Sequence, residues 1–476
     1  MKYRSATSEG LVTPTPSWQR QAAASAAREI LVSRMLMAYV IAGMVFMLLP
    51  GTFLGVWNLL SISSRHAPDS LSPGWIQAHG HAQIFGWIGT FIIGIGFYSI
   101  PKLRKAAPAG IINPWICLVL WAGGVGMRWA VGTYEFHWRL LLPLSAIFEL
   151  VAFLIFFTAV SGHRPSAQSN DQQSASQGTK NAAQAGLSAA TKRGRNLQQH
   201  AWIIVVLAGT VGFLLALVLN LVESANLSFT GTSPAFPRDF DARFLAVCTW
   251  GFLVPFVWGF TSRWMPAFLG LKASQPRLLF AALFLNTAGV AFSMFGKPAI
   301  SALLLLCGAS LSVVALRLFG QTTHSPRTRG ISGAFPAFAK IAYIWLPAAA
   351  ILSLWGSLAQ QSLGIAGASR HALTVGFIVT MVFCVGPRIL PAFSGMRVLF
   401  SARLMSAALV ILSVGCAIHV SSEIIAYQGY AEWAWGLLPV SAIIEMTAIT
   451  LFAVNLAVTF LRRPLVQASG AAAPTL

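Results

Sequence analysis

The feature of this sequence that most restricts its fold is the repetition of uncharged apolar runs. Each is about 20 residues long, the length an α-helix needs to cross a bilayer. Only 9% of the residues are charged, against roughly 25% in a soluble domain. The chain is therefore predicted to be an all-α polytopic membrane protein, and its predicted partner is the lipid bilayer in which it is embedded. Twelve spans are predicted, near 35–61, 80–100, 113–132, 140–160, 201–222, 244–262, 278–296, 299–318, 339–359, 371–391, 404–420 and 435–460.

The basic residues behind the net charge of +20 fall mainly on one of the two sides that alternating spans define. Because Lys and Arg accumulate in cytoplasmic loops, this pattern predicts a multi-pass protein of the bacterial inner membrane with both termini in the cytoplasm. The charge thus reports topology and does not indicate a nucleic-acid partner. The basic loops and the C-terminal tail carry Lys102/Arg104/Lys105, Lys192/Arg193/Arg195, Arg263/Lys272/Arg277, Arg327/Arg329/Lys340, Arg388/Arg397/Arg403 and Arg462/Arg463.

Two polar segments divide the spans into three sets of four. Residues 162–199 are rich in Ser, Gln and Ala and lack apolar periodicity, so they are predicted to be a disordered cytoplasmic linker. Residues 321–338 form a second, shorter linker. The predicted units are a cytoplasmic tail at 1–34, four-helix repeats at 35–161, 200–320 and 339–461, and a C-terminal tail at 462–476.

Internal similarity supports this division. The stretches GFLVPFVWGFTSRWMPAFLG (251–270) and GFIVTMVFCVGPRILPAFSG (376–395) match at an offset of 125, and the second span matches the tenth at an offset of 290. The fourth and twelfth spans share LPLSAIFE (142–149) and LPVSAIIE (438–445). Several polar, Pro and Gly matches at constant offsets indicate a true repeat. We therefore predict a pseudo-threefold ring of three four-helix arcs.

His81 and His371 are the residues predicted to carry chemistry. They occupy the same repeat position on the second and tenth spans, and ionisable groups inside spans are functional candidates. Two imidazoles at one depth suit axial ligation of a haem iron. We expect Gly86, Gly376 and Gly386 to let a flat macrocycle approach the backbone. An alternative left open is that both histidines only hydrogen-bond loop carbonyls at the membrane boundary.

The residues around both histidines resemble a known superfamily. RHALTVGFIVTMVFCVGPRILPAFSGM resembles the tenth helix of haem-copper oxidase subunit I, and HAQIFGWIGTF resembles its second helix. The H-x-H start, the RHALTVG stretch and the length are closer to the NnrS family. That resemblance implies a haem b between His81 and His371, with copper as a second metal. It also implies a role in nitric oxide metabolism or tolerance, with nitric oxide or a quinol as partner.

The sequence departs from the oxidases at their oxygen-reducing centre. Ser369 stands where an oxidase has the histidine that holds its high-spin haem. The sixth and seventh spans, 244–262 and 278–296, contain no histidine for copper. The standard binuclear centre is therefore not expected, and enzymatic turnover stays open.

The role of His79 also stays open. It lies about 200° from His81 around a regular helix, so the two should not share a site. His79 would be an alternative axial ligand, a copper ligand with His419 or His137, or a loop-facing residue. Arg370 and Arg243, at the starts of the tenth and sixth spans, are candidates for pairing with haem propionates; ordinary loop arginines would explain them equally well.

Three functions compete on these grounds. The first is an NnrS-like haem protein of nitric oxide metabolism. The second is a proton-coupled transporter without haem, which inverted repeats with broken helices would favour and which these parallel repeats disfavour. The third is a quinol or nitric oxide oxidoreductase with a non-standard metal site. Glu149 and Glu445, repeat-equivalent carboxylates inside spans, are interpreted as packing groups rather than proton relays.

Overall fold

The computed structural model describes residues 17–67, 70–103, 110–162, 185–359, 363–394 and 397–462. The ends of both predicted tails, the first part of the predicted linker at 163–184, and Arg104 and Lys105 lie outside the described residues.

Twelve helices of the described chain are long and apolar enough to cross a membrane, which confirms the predicted all-α membrane fold. They alternate in direction along the chain, and we call the side on which the second helix begins the upper side. The helices are α1 Ala24–Arg65, α2 Pro73–Lys102, α3 Ile112–Tyr134, α4 Trp138–Ser161, α5 His200–Thr230, α6 Arg238–Leu269, α7 Pro276–Met294, α8 Pro298–Leu316, α9 Phe335–Leu358, α10 Gly364–Phe393, α11 Ala402–Tyr427 and α12 Trp433–Leu461.

Two helices begin earlier than the sequence indicates. The helix of α5 starts at Ala185, inside the predicted disordered linker, and that of α1 starts at Ser17, inside the predicted tail. The reason is intrinsic propensity: both segments are rich in Ala, Arg and Gln, which are strong helix formers. The prediction of disorder relied on the absence of hydrophobic periodicity. Such periodicity does not measure intrinsic helix propensity.

The helices close into a ring of three arcs. Helix α4 packs against α5, α8 against α9, and α12 against α1, so each arc contacts the next. The second helix of every arc is the most enclosed. In α2, α6 and α10, 83%, 72% and 61% of the most apolar window is buried, compared with 33–50% in the other nine helices. These three helices therefore form the inner wall on which a buried site can be built.

Each inner helix contains a π-helical segment at the same repeat position. The segments are Ala82–Gly89 in α2, Val247–Leu253 in α6 and Ala372–Val379 in α10. Their first residues are separated by the offsets of 290 and 125 seen in the sequence, which confirms the register of the repeat. Segments of π-helix are rare and occur often at functional sites. His81 and His371 immediately precede two of them.

Candidate functional site

Four side chains of the third arc meet below its upper end: His371 on α10, His419 and Glu423 on α11, and Glu445 on α12. We call them the third-arc cluster. The rings of His371 and His419 are stacked, with centroids 3.6 Å apart and an interplanar angle of 26°. Since His419 and Glu423 are one helical turn apart, they project from the same face of α11.

The polar atoms of the cluster converge without forming hydrogen bonds. Glu423 Oε2 lies 3.5 Å from His371 Nδ1 and 3.9 Å from His419 Nε2. On the other edge of its ring, His419 Nδ1 lies 3.7 Å from Glu445 Oε1. Hydrogen bonds of this type span about 2.7–3.2 Å. The four groups are thus neighbours whose bonding capacity is unused.

Burial makes this arrangement unusual. Within the described part of the chain, five of the cluster's buried atoms have no hydrogen-bond partner: His371 Nδ1, His419 Nδ1 and Nε2, Glu423 Oε2 and Glu445 Oε1. Buried polar groups are nearly always paired. One ligand atom each from His371, His419 and Glu423 lie within 4.8 Å of one another, an arrangement that can hold a metal ion.

Two glycines create the space for these carboxylates. A Cβ on Gly415 would lie 2.8 Å from Glu445 Cγ, and a Cβ on Gly367 would overlap Glu423 Oε1. A larger residue at either position would therefore displace a glutamate side chain of the cluster. The sequence thus keeps α10, α11 and α12 close enough for the cluster to form.

The first arc holds a related group in which the imidazole and the carboxylate are hydrogen-bonded. His81 Nε2 lies 2.7 Å from Glu149 Oε1 on α4, and Asn220 of α5 donates its amide to Glu149 Oε2 at 3.2 Å. All three residues are buried. The His81 ring also stacks on Phe85 at 4.5 Å. This group links the first arc to the second.

The two arcs differ at one equivalent position. A Cβ on Gly124 would lie 2.8 Å from Glu149 Cγ, as one on Gly415 would from Glu445 Cγ, so the two helix crossings correspond. Four residues after these glycines, the first arc has Arg128 and the third has His419. The Arg128 guanidinium lies over the Phe236 ring at 4.3 Å. The third arc therefore has an imidazole where the first has a cation.

The other predicted site residues lie outside the third-arc cluster or at its edge. His79 turns away from His81: its Nδ1 lies 2.8 Å from the Gly51 carbonyl on α1, within electrostatic range of His371 and His419. Arg370 is exposed beside His371 at the upper side. Arg243 is exposed too, and its nearest guanidinium nitrogen would lie 3.4 Å from a Cβ on Gly296, away from the cluster. His137 is exposed in the turn before α4.

The predicted glycine surface for a macrocycle is wrong at Gly86 and Gly376. A Cβ on Gly86 would lie 2.9 Å from Phe46 Cβ on α1, and one on Gly376 would lie 2.5 Å from Trp345 Cγ on α9. Gly386 faces Phe452 of α12. Small residues let membrane helices approach closely, and here they receive aromatic side chains of their own arc. Sequence alone does not show which way a glycine faces.

The arrangement of side chains agrees better with haem bound at His371 alone than with haem bound between His81 and His371. A carboxylate near one ring nitrogen is typical of a metal-bound histidine, and Glu423 takes that place beside His371 Nδ1. His81 and His371, however, turn to different helices, α4 and α11. His81 Nε2 is already bonded to Glu149. The side chains as arranged fit a metal at His371, and they do not fit a haem held between both residues.

Comparison with known proteins supports the fold. Residues 324–459 match the family model of a domain of unknown function, DUF8744. No curated protein sequence matches the chain significantly. The structure is similar to a chain of a haem-copper terminal oxidase dimer solved by cryo-EM, with a TM-score of 0.62 and 13% identity, covering 91% of this chain and 84% of that chain. At this identity the similarity establishes a shared fold, which confirms the predicted architecture.

Proposed function

We propose that this membrane protein of haem-copper oxidase-like fold is a redox-active metalloprotein that acts in nitric oxide metabolism or tolerance, as implied by its resemblance to the NnrS family. We place its upper side towards the periplasm of a bacterial inner membrane, because the basic loops lie on the opposite side. Turnover is not part of the proposal.

The observation that carries this proposal is the third-arc cluster. Two stacked imidazoles and two carboxylates lie together inside an apolar bundle, with five buried atoms unpaired among the described residues. Leaving such groups unpaired costs about 1–3 kcal/mol each, and more for charged ones. A bound metal ion that pairs with these atoms would remove that cost. Imidazole and carboxylate together are ligands for redox-active first-row metals.

Haem b and copper remain the cofactors that the sequence resemblance implies. A haem would supply a redox-active iron that binds diatomic ligands. His371 would bind it through Nε2, since Nδ1 faces Glu423, and the exposed Arg370 would approach a propionate. His81 would serve as the second axial ligand only after leaving Glu149. Arg243 would have to leave the region of Gly296 to reach a propionate.

The function is tested by nitric oxide itself. Cells that lack this protein are expected to grow more slowly under nitric oxide, and wild-type protein to restore growth. His371→Ala should not restore it, because that change removes an imidazole that both the haem site and the third-arc cluster use. His66→Ala, which alters an exposed histidine at the upper end of α1 outside every candidate site, is the matched control and should restore growth fully.

Spectroscopy of the purified protein completes the test. A low-spin haem spectrum that is lost in both His81→Ala and His371→Ala would support the bis-histidine form. Growth under nitric oxide that is unaffected by loss of the protein would contradict the proposed function. Colourless, metal-free protein that takes up a solute with protons in vesicles would favour the transporter instead.

A further inference from the structure

We propose that the third-arc cluster is a binding site for one non-haem ferrous ion, ligated by His371 Nδ1, His419 Nε2 and Glu423 Oε2. The inference rests on the proposed function only in taking the centre to be a redox metal. It assigns that centre a ligand set in which His371 binds through Nδ1, whereas a haem would be bound through Nε2. It also gives Glu445 a distinct role, as the group that positions His419.

The distances fit one small ion. Nitrogen and oxygen ligands lie about 2.1 Å from a first-row ion, so two ligands of one ion are at most about 4.2 Å apart. Two of the pairs, at 3.5 Å and 3.9 Å, already lie inside that limit. One ligand atom from each of the three residues lies within 4.8 Å of the others. Adjacent ligands of an octahedral ion are about 3.0 Å apart, so the side chains must shift by roughly 1 Å, and this shift parts the stacked rings because two ligands approach an ion from different directions.

A single ion accounts for all five unpaired atoms. Three of them become ligands: His371 Nδ1, His419 Nε2 and Glu423 Oε2. Once Nε2 of His419 binds metal, Nδ1 carries the proton, and it can donate to Glu445 Oε1, now 3.7 Å away. Carboxylates commonly orient metal-bound histidines in this way. A haem iron on His371 Nε2 would leave all five atoms as they are.

Charge points to a cation as well. The side chains of Glu423 and Glu445 are only 8% and 9% exposed. Among the residues that the structure describes, neither forms an ion pair with an arginine or a lysine. Buried carboxylates need a partner charge or a proton. A divalent ion between α10 and α11 neutralises the charge of Glu423 directly. The imidazole of His419 lies between this ion and Glu445.

The ligand set accepts ferrous iron, and the proposed redox role selects iron over zinc, which takes the same ligand types. Two histidines and one carboxylate, with further positions open, are typical of non-haem ferrous centres. The His371 side chain, at the upper side, is 28% exposed. A diatomic molecule would approach the cluster from that side.

The test uses full-length protein in lipid nanodiscs, stripped with a chelator and reloaded anaerobically with ferrous ion. We expect one iron per chain, and added nitric oxide should give the half-integer-spin EPR signal of a ferrous nitrosyl. Glu423→Gln and His419→Ala should weaken iron binding more than 100-fold. Glu445→Gln should weaken it about 10–100-fold, the usual effect of an outer-sphere partner.

Glu149→Gln is the matched control, because it alters the repeat-equivalent carboxylate and should leave iron binding unchanged. Circular dichroism and size-exclusion profiles identify variants that fail to fold, and Glu445→Gln then serves in place of a misfolded ligand variant. Equal iron binding by wild type and Glu423→Gln would overturn the inference, as would iron-loaded protein that gives no ferrous nitrosyl signal with nitric oxide. Haem on His371 without non-haem iron would overturn it too and leave the proposed function intact. Iron binding without any effect of the protein on nitric oxide tolerance would support the iron site and contradict the proposed function.

Discussion

Glu149→Ala is expected to lower the free energy of unfolding by about 3–5 kcal/mol, because it leaves two buried polar groups unpaired at about 1–3 kcal/mol each and removes packed volume. The substitution leaves His81 Nε2 and the Asn220 amide without an acceptor in a fully buried position. It also opens a cavity where α4 approaches α3. The loss should appear as a lower midpoint in denaturant titrations of protein in mixed micelles.

Glu149→Gln separates the pairing from the packing. The amide keeps the volume and one oxygen acceptor, so the expected loss is only about 0.5–1.5 kcal/mol, as for a single hydrogen bond. Equal destabilisation by alanine and glutamine would mean that the removed volume contributes nothing and that the whole loss comes from the hydrogen bonds of the carboxylate.

Gly212→Leu is expected to be the most disruptive change at a helix crossing. A Cβ on Gly212 of α5 would overlap the carbonyl oxygen of Gly251, inside the π segment of α6. Overpacking typically costs about 1–3 kcal/mol, and here the obstacle is main chain that has no rotamer to change. We expect a loss of at least about 3 kcal/mol, or no folded protein at all.

Gly126→Leu on α3 provides the control for Gly212→Leu. No neighbouring atom lies within 4 Å of a Cβ on Gly126, so the added side chain meets open space. Its unfolding midpoint should stay close to that of the wild type, and its folding yield should be unchanged. A Gly212→Leu protein that folds and melts like Gly126→Leu would show that the α5–α6 contact is looser than described.

The sequence predicted the fold well because a bilayer permits few solutions. Backbone groups in lipid must be paired within a helix, so long apolar runs have one outcome. The repeat offsets found in the sequence also match the structure, since they align the π-helical segments of α2, α6 and α10. The start of the α5 helix was missed because Ala-rich polar sequence forms helix without an apolar face.

The site was predicted only in part. His371 and His419 were both candidates, and the structure stacks their rings. The spacing of His419 and Glu423, four residues apart on a helix, was a readable signal that was not used. The approach of Glu445 was not readable, because it depends on how α11 and α12 cross at Gly415. Repeat symmetry paired His81 with His371 correctly by position, but it could not show that each turns towards its own arc.

The shared π segments carry information about the history of the chain. Since such segments are rare, three at one register are explained most simply by a single four-helix ancestor that already contained one before it was triplicated. The histidine at the third-arc position equivalent to Arg128 is absent from the first copy and belongs to a later divergence. On this view the scaffold came first, as three similar copies, and one copy afterwards specialised while its sister kept the buried His81–Glu149 contact.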